Sequence, residues 1–183
     1  AGLRLQDIGS QAIVPLLDLR PGLTFLDICA APGGKTAQAL EHGVRGVACD
    51  LHLSRLRELR DLPCDLVVLD GTRPLPFGRR FDRILVDAPC SGTGTLGRNP
   101  EIRWRIQEKD LTDLHVKQVA MLRSALEMLA PGGVLVYSTC SLEAEENEDV
   151  IADAASGRPA RLWRRLPGRD PGDGFFAAVI PSE

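Results

Sequence analysis

Four short apolar segments each run up to an aspartate, and this repetition constrains the fold more than any other feature. Leu23-Thr24-Phe25-Leu26-Asp27-Ile28 reads as a buried strand, Val44 to Cys49 as a second ending at Asp50, Cys64 to Leu69 as a third ending at Asp70, and Phe81 to Val86 as a fourth ending at Asp87. Helical patterns lie between them, from about Thr36 to His42 and from Leu53 to Leu62, where Leu53, Leu56 and Leu59 alternate with charges. Between about Glu108 and Ala130, the residues Leu111, Leu114, Leu122, Ala125, Leu126 and Leu129 predict one long amphipathic helix. Pro131-Gly132-Gly133 reads as its stop, and Val134 to Tyr137 as a fifth strand that leads to Cys140. A helix over 143–155 and strands over 161–166 and 174–180 complete the series. Strands alternating with helices imply parallel βαβ units and a doubly wound, mostly parallel α/β sheet. Ligands bind such sheets outside the carboxyl ends of the strands. Asp27, Asp50, Asp70, Asp87 and Cys140 all fall at that edge, which points to one shared site rather than to four unrelated caps.

The chain has 183 residues, enough for one sizeable core and too few for a catalytic domain plus a second full-sized module. Hydrophobic residues make up 44% and charged residues 26%, which excludes a disordered chain. No apolar run approaches the ~20 residues of a membrane span, and no signal peptide is visible. The chain starts at Ala1 rather than Met, which reads as a boundary just before the first motif-bearing segment. The net charge of −3 argues against a generic polyanion binder. Charge is uneven, however: Glu143, Glu145, Glu146, Glu148 and Asp149 form an acidic stretch, and Arg158, Arg161, Arg164, Arg165 and Arg169 follow. Both read first as solvated faces. Aromatic residues are few, so a base-stacking platform is not expected; Tyr137, Trp104 and Trp163 are the polar-tipped candidates. Five cysteines with no CxxC pair disfavour a zinc site or a disulfide framework and fit a reducing, cytoplasmic setting, so no metal is expected.

Three cofactor readings compete for the turn after the first strand. A P-loop needs G-x-x-x-x-G-K-[ST]; Gly34-Lys35-Thr36 supplies its end, but Cys29 stands where the first glycine belongs. A dinucleotide fingerprint, G-x-G-x-x-G, is missing. S-adenosylmethionine carries ribose and adenine without phosphate, and asks for close backbone approach, which Gly33 and Gly34 allow. It also asks for an acid at the second strand end to accept the ribose hydroxyls, a place Asp50 fills, while Asp70 can accept from the adenine amino group. Spacing favours this third reading.

Leu26-Asp27-Ile28-Cys29-Ala30-Ala31-Pro32-Gly33-Gly34-Lys35-Thr36, Asp87-Ala88-Pro89-Cys90-Ser91-Gly92-Thr93-Gly94 and Ser138-Thr139-Cys140-Ser141 together closely resemble the Fmu/Sun family of RNA cytosine-5 methyltransferases. Gln6-Asp7 with Ser10-Gln11, the loop Arg98 to Trp104, Glu145-Glu146-Asn147 and Asp173 to Ala177 extend the likeness from about residue 5 to 180. The resemblance implies a seven-stranded Rossmann-like sheet of the class I methyltransferase kind, filling residues 1–183 as one catalytic domain. Family members carry RNA-binding segments ahead of the position of Gln6, and none is expected here. It further implies S-adenosylmethionine held by Cys29, Ala30, Ala31, Pro32, Gly33, Gly34, Lys35, Asp50, Arg55, Asp70, Gly71 and Asp87, with RNA, chiefly ribosomal RNA, as substrate.

The chemistry explains why such an enzyme uses cysteine. Carbon 5 of cytosine is too weak a nucleophile to take a methyl directly, and a thiolate adding to carbon 6 makes it enamine-like. A free thiol has a pKa of about 8.5, so its surroundings must favour the thiolate. Position alone does not rank Cys90 against Cys140, since both follow strands at the same edge. The resemblance does: it makes Cys140 the nucleophile and Cys90 the residue that assists product release. It makes Asp87 the contact to the target base, and Lys35, one of three lysines, the partner of that acid. Cys29, Cys49 and Cys64 read as buried structural thiols.

Overall fold

The computed structural model describes residues 5–182; Ala1, where the sequence suggests a boundary, lies outside them. Seven strands form one sheet: β1 Thr24–Asp27, β2 Arg45–Asp50, β3 Asp65–Val68, β4 Phe81–Asp87, β5 Leu129–Thr139, β6 Arg161–Arg165 and β7 Phe175–Pro181. Their order is β3-β2-β1-β4-β5-β7-β6. The first five run parallel, and β7 lies antiparallel to both β5 and β6. The expected doubly wound, mostly parallel sheet is therefore present, and its order reverses between β1 and β4.

Alternation along the strands divides the core into two layers. Leu26, Ile84, Val86, Leu135, Tyr137 and Phe176 pack on one face against Val119, Leu122 and Ala125 of α5 (Glu108–Glu127). Phe25, Leu85, Val136 and Phe175 face the other way, towards Ile13, Val14, Leu17 and Ala39 of α2 (Gly34–Leu40). The start of α5 is fixed locally by a reciprocal capping box, with the Gln107 N–H donating to Asp110 Oδ2 at 3.0 Å.

Three elements depart from the sequence reading. The long helix stops at Glu127, and β5 starts at Leu129 and runs through Pro131-Gly132-Gly133. The Phe81 N–H donates to the Met128 carbonyl at 2.8 Å, and Leu129 is buried opposite Phe81, so the sheet claims residues that helical periodicity also fits. A register shift between Phe81 and Arg83 absorbs the exposed Pro131 and Gly132. The expected helix at 53–62 shrinks to α3 (Leu53–Leu56) and a 3₁₀ turn, Arg57–Leu59, because Leu56 and Leu59 are buried while Leu53 is exposed. The expected helix at 143–155 breaks at Asn147 into a 3₁₀ turn (Ala144–Glu146) and α6 (Glu148–Ala154). Asn147 Oδ1 accepts instead from the Thr139 hydroxyl at 2.6 Å, and its Nδ2 donates to the Ser141 carbonyl at 3.1 Å.

Candidate active site

Two constellations occupy the carboxyl edge of the sheet. The first surrounds the turn between β1 and α2. Asp27, Cys29, Ala30, Ala31, Pro32, Gly34, Lys35 and Asp87 line a cleft there, joined by Gln6, from the segment leading into α1 (Ile8–Gln11), and by Ser10 within that helix. Gly33 and Gly34 divide the work of the turn. Gly33 has φ +101°, and a Cβ there would meet Leu59 at 2.8 Å, so it is needed for the turn itself. A Cβ on Gly34 would meet only the Gln6 side chain, at 3.6 Å, so this glycine instead leaves room at the cleft.

Asp27, placed at the shared site by its strand end but not among the residues the resemblance assigns to the cofactor, carries a buried carboxylate oxygen without a partner. Oδ2 accepts from the Thr36 hydroxyl at 2.7 Å, while the buried Oδ1 has no hydrogen-bond partner. Burial pushes its pKa up to about 7, opposed by the Thr36 hydrogen bond and reinforced by the Asp87 charge. Asp50, 3% exposed, accepts from the His52 N–H at 3.0 Å and lies 3.6 Å from Arg55, which also donates to the Ala31 carbonyl at 3.0 Å. Arg55 thus braces the turn from the β2 side. Of the residues expected to hold the cofactor, Gly33, Asp50, Arg55, Asp70 and Gly71 are not among those lining this cleft. The Asp70 carboxylate accepts from the Thr72 hydroxyl and N–H, which hold its pKa below the usual carboxylate range. Gly71 packs against Ile28, and its carbonyl accepts from Ser124 Oγ at 2.6 Å.

The second constellation gathers the four expected catalytic residues at the ends of β4 and β5. Cys90 Sγ and Cys140 Sγ are 3.4 Å apart. Lys35 Nζ lies 2.7 Å from Asp87 Oδ2, and Ser138 Oγ donates to Asp87 Oδ1 at 2.8 Å. This pairing commits the Lys35 ammonium to a carboxylate. The two thiols move in opposite directions. Cys140 is lowered chiefly by the hydrogen bond from Cys90 and further by the Lys35 charge, against its burial and the Asp87 charge. Cys90 is raised well above an ordinary thiol by that same hydrogen bond, by burial and by the Cys140 charge. The directions of both shifts make Cys140 the more acidic thiol of the pair. Burial raises Cys29, raises Cys49 to about 12, and raises Cys64, so all three stay as unreactive thiols.

Gly94 welds these loops together: its N–H donates to the Cys140 carbonyl at 2.9 Å, and its carbonyl accepts from the Gly174 N–H at 2.8 Å. The acidic stretch does not behave as a single solvated face. Glu146 is fully buried beside Ser91 and Gln118, and nothing in the charge pattern distinguishes it from its exposed neighbours. Tyr137 is fully buried with its hydroxyl donated to the Glu146 carbonyl at 2.7 Å, so it cannot stack on a base. Trp163 packs partly into the core, and Trp104 alone of the three is largely exposed. In the Arg-rich stretch, Arg164 pairs with Glu148, and Arg165 donates to the Pro171 carbonyl at 2.7 Å. Among the described residues no helix is long and apolar enough to cross a membrane.

The family model for "16S rRNA methyltransferase RsmB/F" matches residues 14–165. Ribosomal RNA small subunit methyltransferase B of Yersinia pseudotuberculosis is 40% identical over 197 aligned positions, which cover 96% of this chain and 46% of that protein. The chain thus spans about half the length of the curated relatives it matches. Among solved structures, NSun6 of Pyrococcus horikoshii, determined with SFG, is 30% identical with a TM-score of 0.86 over 97% of this chain and 52% of that one. A methyltransferase homolog protein of the same organism is 32% identical with a TM-score of 0.82, over 98% and 68%. The match over residues 14–165, and the identity over nearly the whole chain, show that it belongs to the RsmB/F family of 16S rRNA methyltransferases.

Proposed function

We propose that this domain transfers a methyl group from S-adenosylmethionine to carbon 5 of a cytosine in RNA, with 16S ribosomal RNA as substrate, through a covalent bond between Cys140 and the base. The thiol pair carries this reading: two cysteines whose sulfurs lie 3.4 Å apart, within hydrogen-bonding reach of each other, beside a lysine–aspartate pair. The cleft fits the cofactor. Asp27 Oδ1 is buried and lacks a donor, Gly34 leaves space for a ligand against the backbone, and S-adenosylmethionine offers an ammonium and ribose hydroxyls. Asp27, Ala30, Ala31 and Gly34 would hold it from the turn, and Asp50 and Asp70, at the next two strand ends and outside the lining of the cleft, would take the ribose hydroxyls and the adenine amino group. When bound, the cofactor supplies an electrophilic sulfonium methyl.

The residues of the chain account for the remaining steps. Cys140 adds to carbon 6 of cytosine, forming the S–C6 bond and moving the ring electrons to carbon 5, which takes the methyl carbon as the bond from methyl to the sulfonium sulfur breaks and S-adenosylhomocysteine is left. Asp87, anchored by Ser138 and Lys35, holds the target base and stabilises positive charge on its ring. Loss of the carbon 5 proton to a water molecule re-forms the C5–C6 double bond and breaks C6–S, the bonding pair returning to the Cys140 sulfur. The Cys90 thiol, already within reach of Cys140, stabilises the departing thiolate.

Two variants of the intact protein test this, with radiolabelled cofactor and unmethylated 16S ribosomal RNA. Cys140→Ala should abolish methyl transfer, while Cys90→Ala should accumulate a protein–RNA adduct that survives a denaturing gel. Methylation by Cys140→Ala would overturn the nucleophile assignment.

A further inference from the structure

The loops that carry the two cysteines are clamped by a buried carboxylate that takes no part in the steps above. Glu146 Oε1 accepts from the Ser91 N–H at 2.8 Å and from Gln118 Nε2 at 3.0 Å, and Oε2 accepts from the Ser91 hydroxyl. Gln118, fully buried on α5, also donates from Nε2 to the Pro89 carbonyl at 2.9 Å. Its Oε1 has no partner, and turning the amide would set that oxygen against both acceptors. Both chain neighbours of Cys90 are therefore fastened to the Glu146–Gln118 pair. The Ser91 hydroxyl lies 3.1 Å from that of Ser141, tying the residue after Cys90 to the residue after Cys140. The segment holding Glu146 is fixed in turn, by Tyr137 at its carbonyl and by Asn147 to Thr139 and Ser141, on either side of Cys140.

A fully buried carboxylate is costly to keep, and removing it leaves its donors unpaired. Every donor it satisfies here belongs to the Cys90 turn or to the glutamine that braces that turn. We propose that Glu146 is a positioning residue for Cys90, holding the Pro89-Cys90-Ser91 turn so that the Cys90 thiol stays within hydrogen-bonding reach of Cys140. This rests on the reading of Cys90 as the residue that assists product release. Loosening the clamp slows breakdown of the protein–RNA adduct more than its formation.

The test compares Glu146→Gln, Glu146→Asp, Ser91→Ala and Cys90→Ala in the intact protein, with unmethylated 16S ribosomal RNA and S-adenosylmethionine. Gel-resistant adduct, single-turnover methyl transfer and S-adenosylhomocysteine affinity are measured for each. Glu146→Gln should raise the steady-state adduct about tenfold while single-turnover transfer and S-adenosylhomocysteine affinity stay within about threefold of wild type. Glu146→Asp keeps the charge and should recover part of the turnover, and Ser91→Ala should accumulate less adduct than Glu146→Gln. If Glu146→Gln fails to fold and binds no S-adenosylhomocysteine, Ser91→Ala decides, because it leaves the carboxylate and its other bonds in place. A folded Glu146→Gln, or Ser91→Ala in its stead, with adduct at the wild-type level overturns the proposal, as does an equal slowing of single-turnover transfer and overall turnover. Absence of adduct in Cys90→Ala would instead place the failure in the reading of Cys90.

Discussion

The two constellations at the carboxyl edge are neighbours, yet they handle polar groups in opposite ways. Around the β1–α2 turn, a buried carboxylate oxygen of Asp27 has no partner and Gly34 leaves open space. Around Cys90 and Cys140, the carboxylates of Asp87 and Glu146 and the hydroxyls of Ser91, Ser138 and Ser141 are all paired within the protein. A place that receives a ligand keeps unmet hydrogen-bonding capacity, which the ligand satisfies on arrival. A place that positions reacting atoms is organised in advance, because reorganisation during the reaction raises the barrier. Asp87 joins the two, lining the cleft with one face and holding Ser138 with the other.

One substitution made on each side gives the sharpest contrast. In Gly94→Ala the new methyl would sit 2.5 Å from the Gly174 carbonyl oxygen and 2.8 Å from that of Cys140, both backbone atoms that cannot swing aside. It should cost about 2–4 kcal/mol in urea unfolding and displace the Cys140 loop, with a matching loss of methyl transfer. Gly34→Ala meets only a flexible glutamine, so its stability should stay within about 1 kcal/mol of wild type. Its S-adenosylhomocysteine affinity, read by calorimetry, should nevertheless fall about tenfold or more. Equal stability losses at the two glycines would break the distinction between the sites.

A second experiment addresses the unpaired carboxylate. The Asp27 pKa is about 7 in the folded chain against 3.8 for an ordinary aspartate, so protonation favours the folded state. The stability this group contributes is complete below about pH 4 and is lost as pH rises through about 7. Asp27→Asn is neutral throughout and keeps an acceptor for Thr36, so the fall in Tm of the ligand-free protein between pH 5 and pH 8 should become shallower. The expected gain over wild type at pH 8 is on the order of 2 kcal/mol. An unchanged pH slope would show that Asp27 is ionised at no cost in the fold.

The smallest effect concerns the thiolate. Both the Cys90 hydrogen bond and the Lys35 charge lower Cys140, with the hydrogen bond the larger cause. The pH midpoint for alkylation of Cys140 by iodoacetamide should therefore rise in Cys90→Ala and rise less in Lys35→Gln, by about one unit or below. A larger shift in Lys35→Gln would transfer the main role to the lysine.

Much of this architecture was legible in the chain. Apolar segments ending in Asp27, Asp50, Asp70 and Asp87 located the first four strands to within a residue or two at most ends, because buried parallel strands need continuous apolar runs. The helix-to-strand change at Glu127–Leu129 was not legible. Leu126 and Leu129 satisfy a helical stripe, and only the pairing of Leu129 with Phe81 assigns it to the sheet. Asp27 was legible as a strand end and not as a group lacking a donor, since burial and partner count depend on what packs above it. Glu146 was hidden among acids of the same kind, and its one distinguishing feature, the loop of Cys90 folded against it, arises 55 residues away in the chain.

The sequence by itself determined the parallel sheet, the edge at which its acids and cysteines assemble, and the motifs that mark the family, because periodicity and strand-end chemistry are local properties. Only the tertiary structure brings the two thiols within 3.4 Å of each other, shows which glycine borders the cleft and shows which carboxylate is buried against the Cys90 turn. Each of these depends on distances between residues far apart in the chain, and a hydrogen bond or a buried charge takes its energy from such distances and from the water that packing excludes.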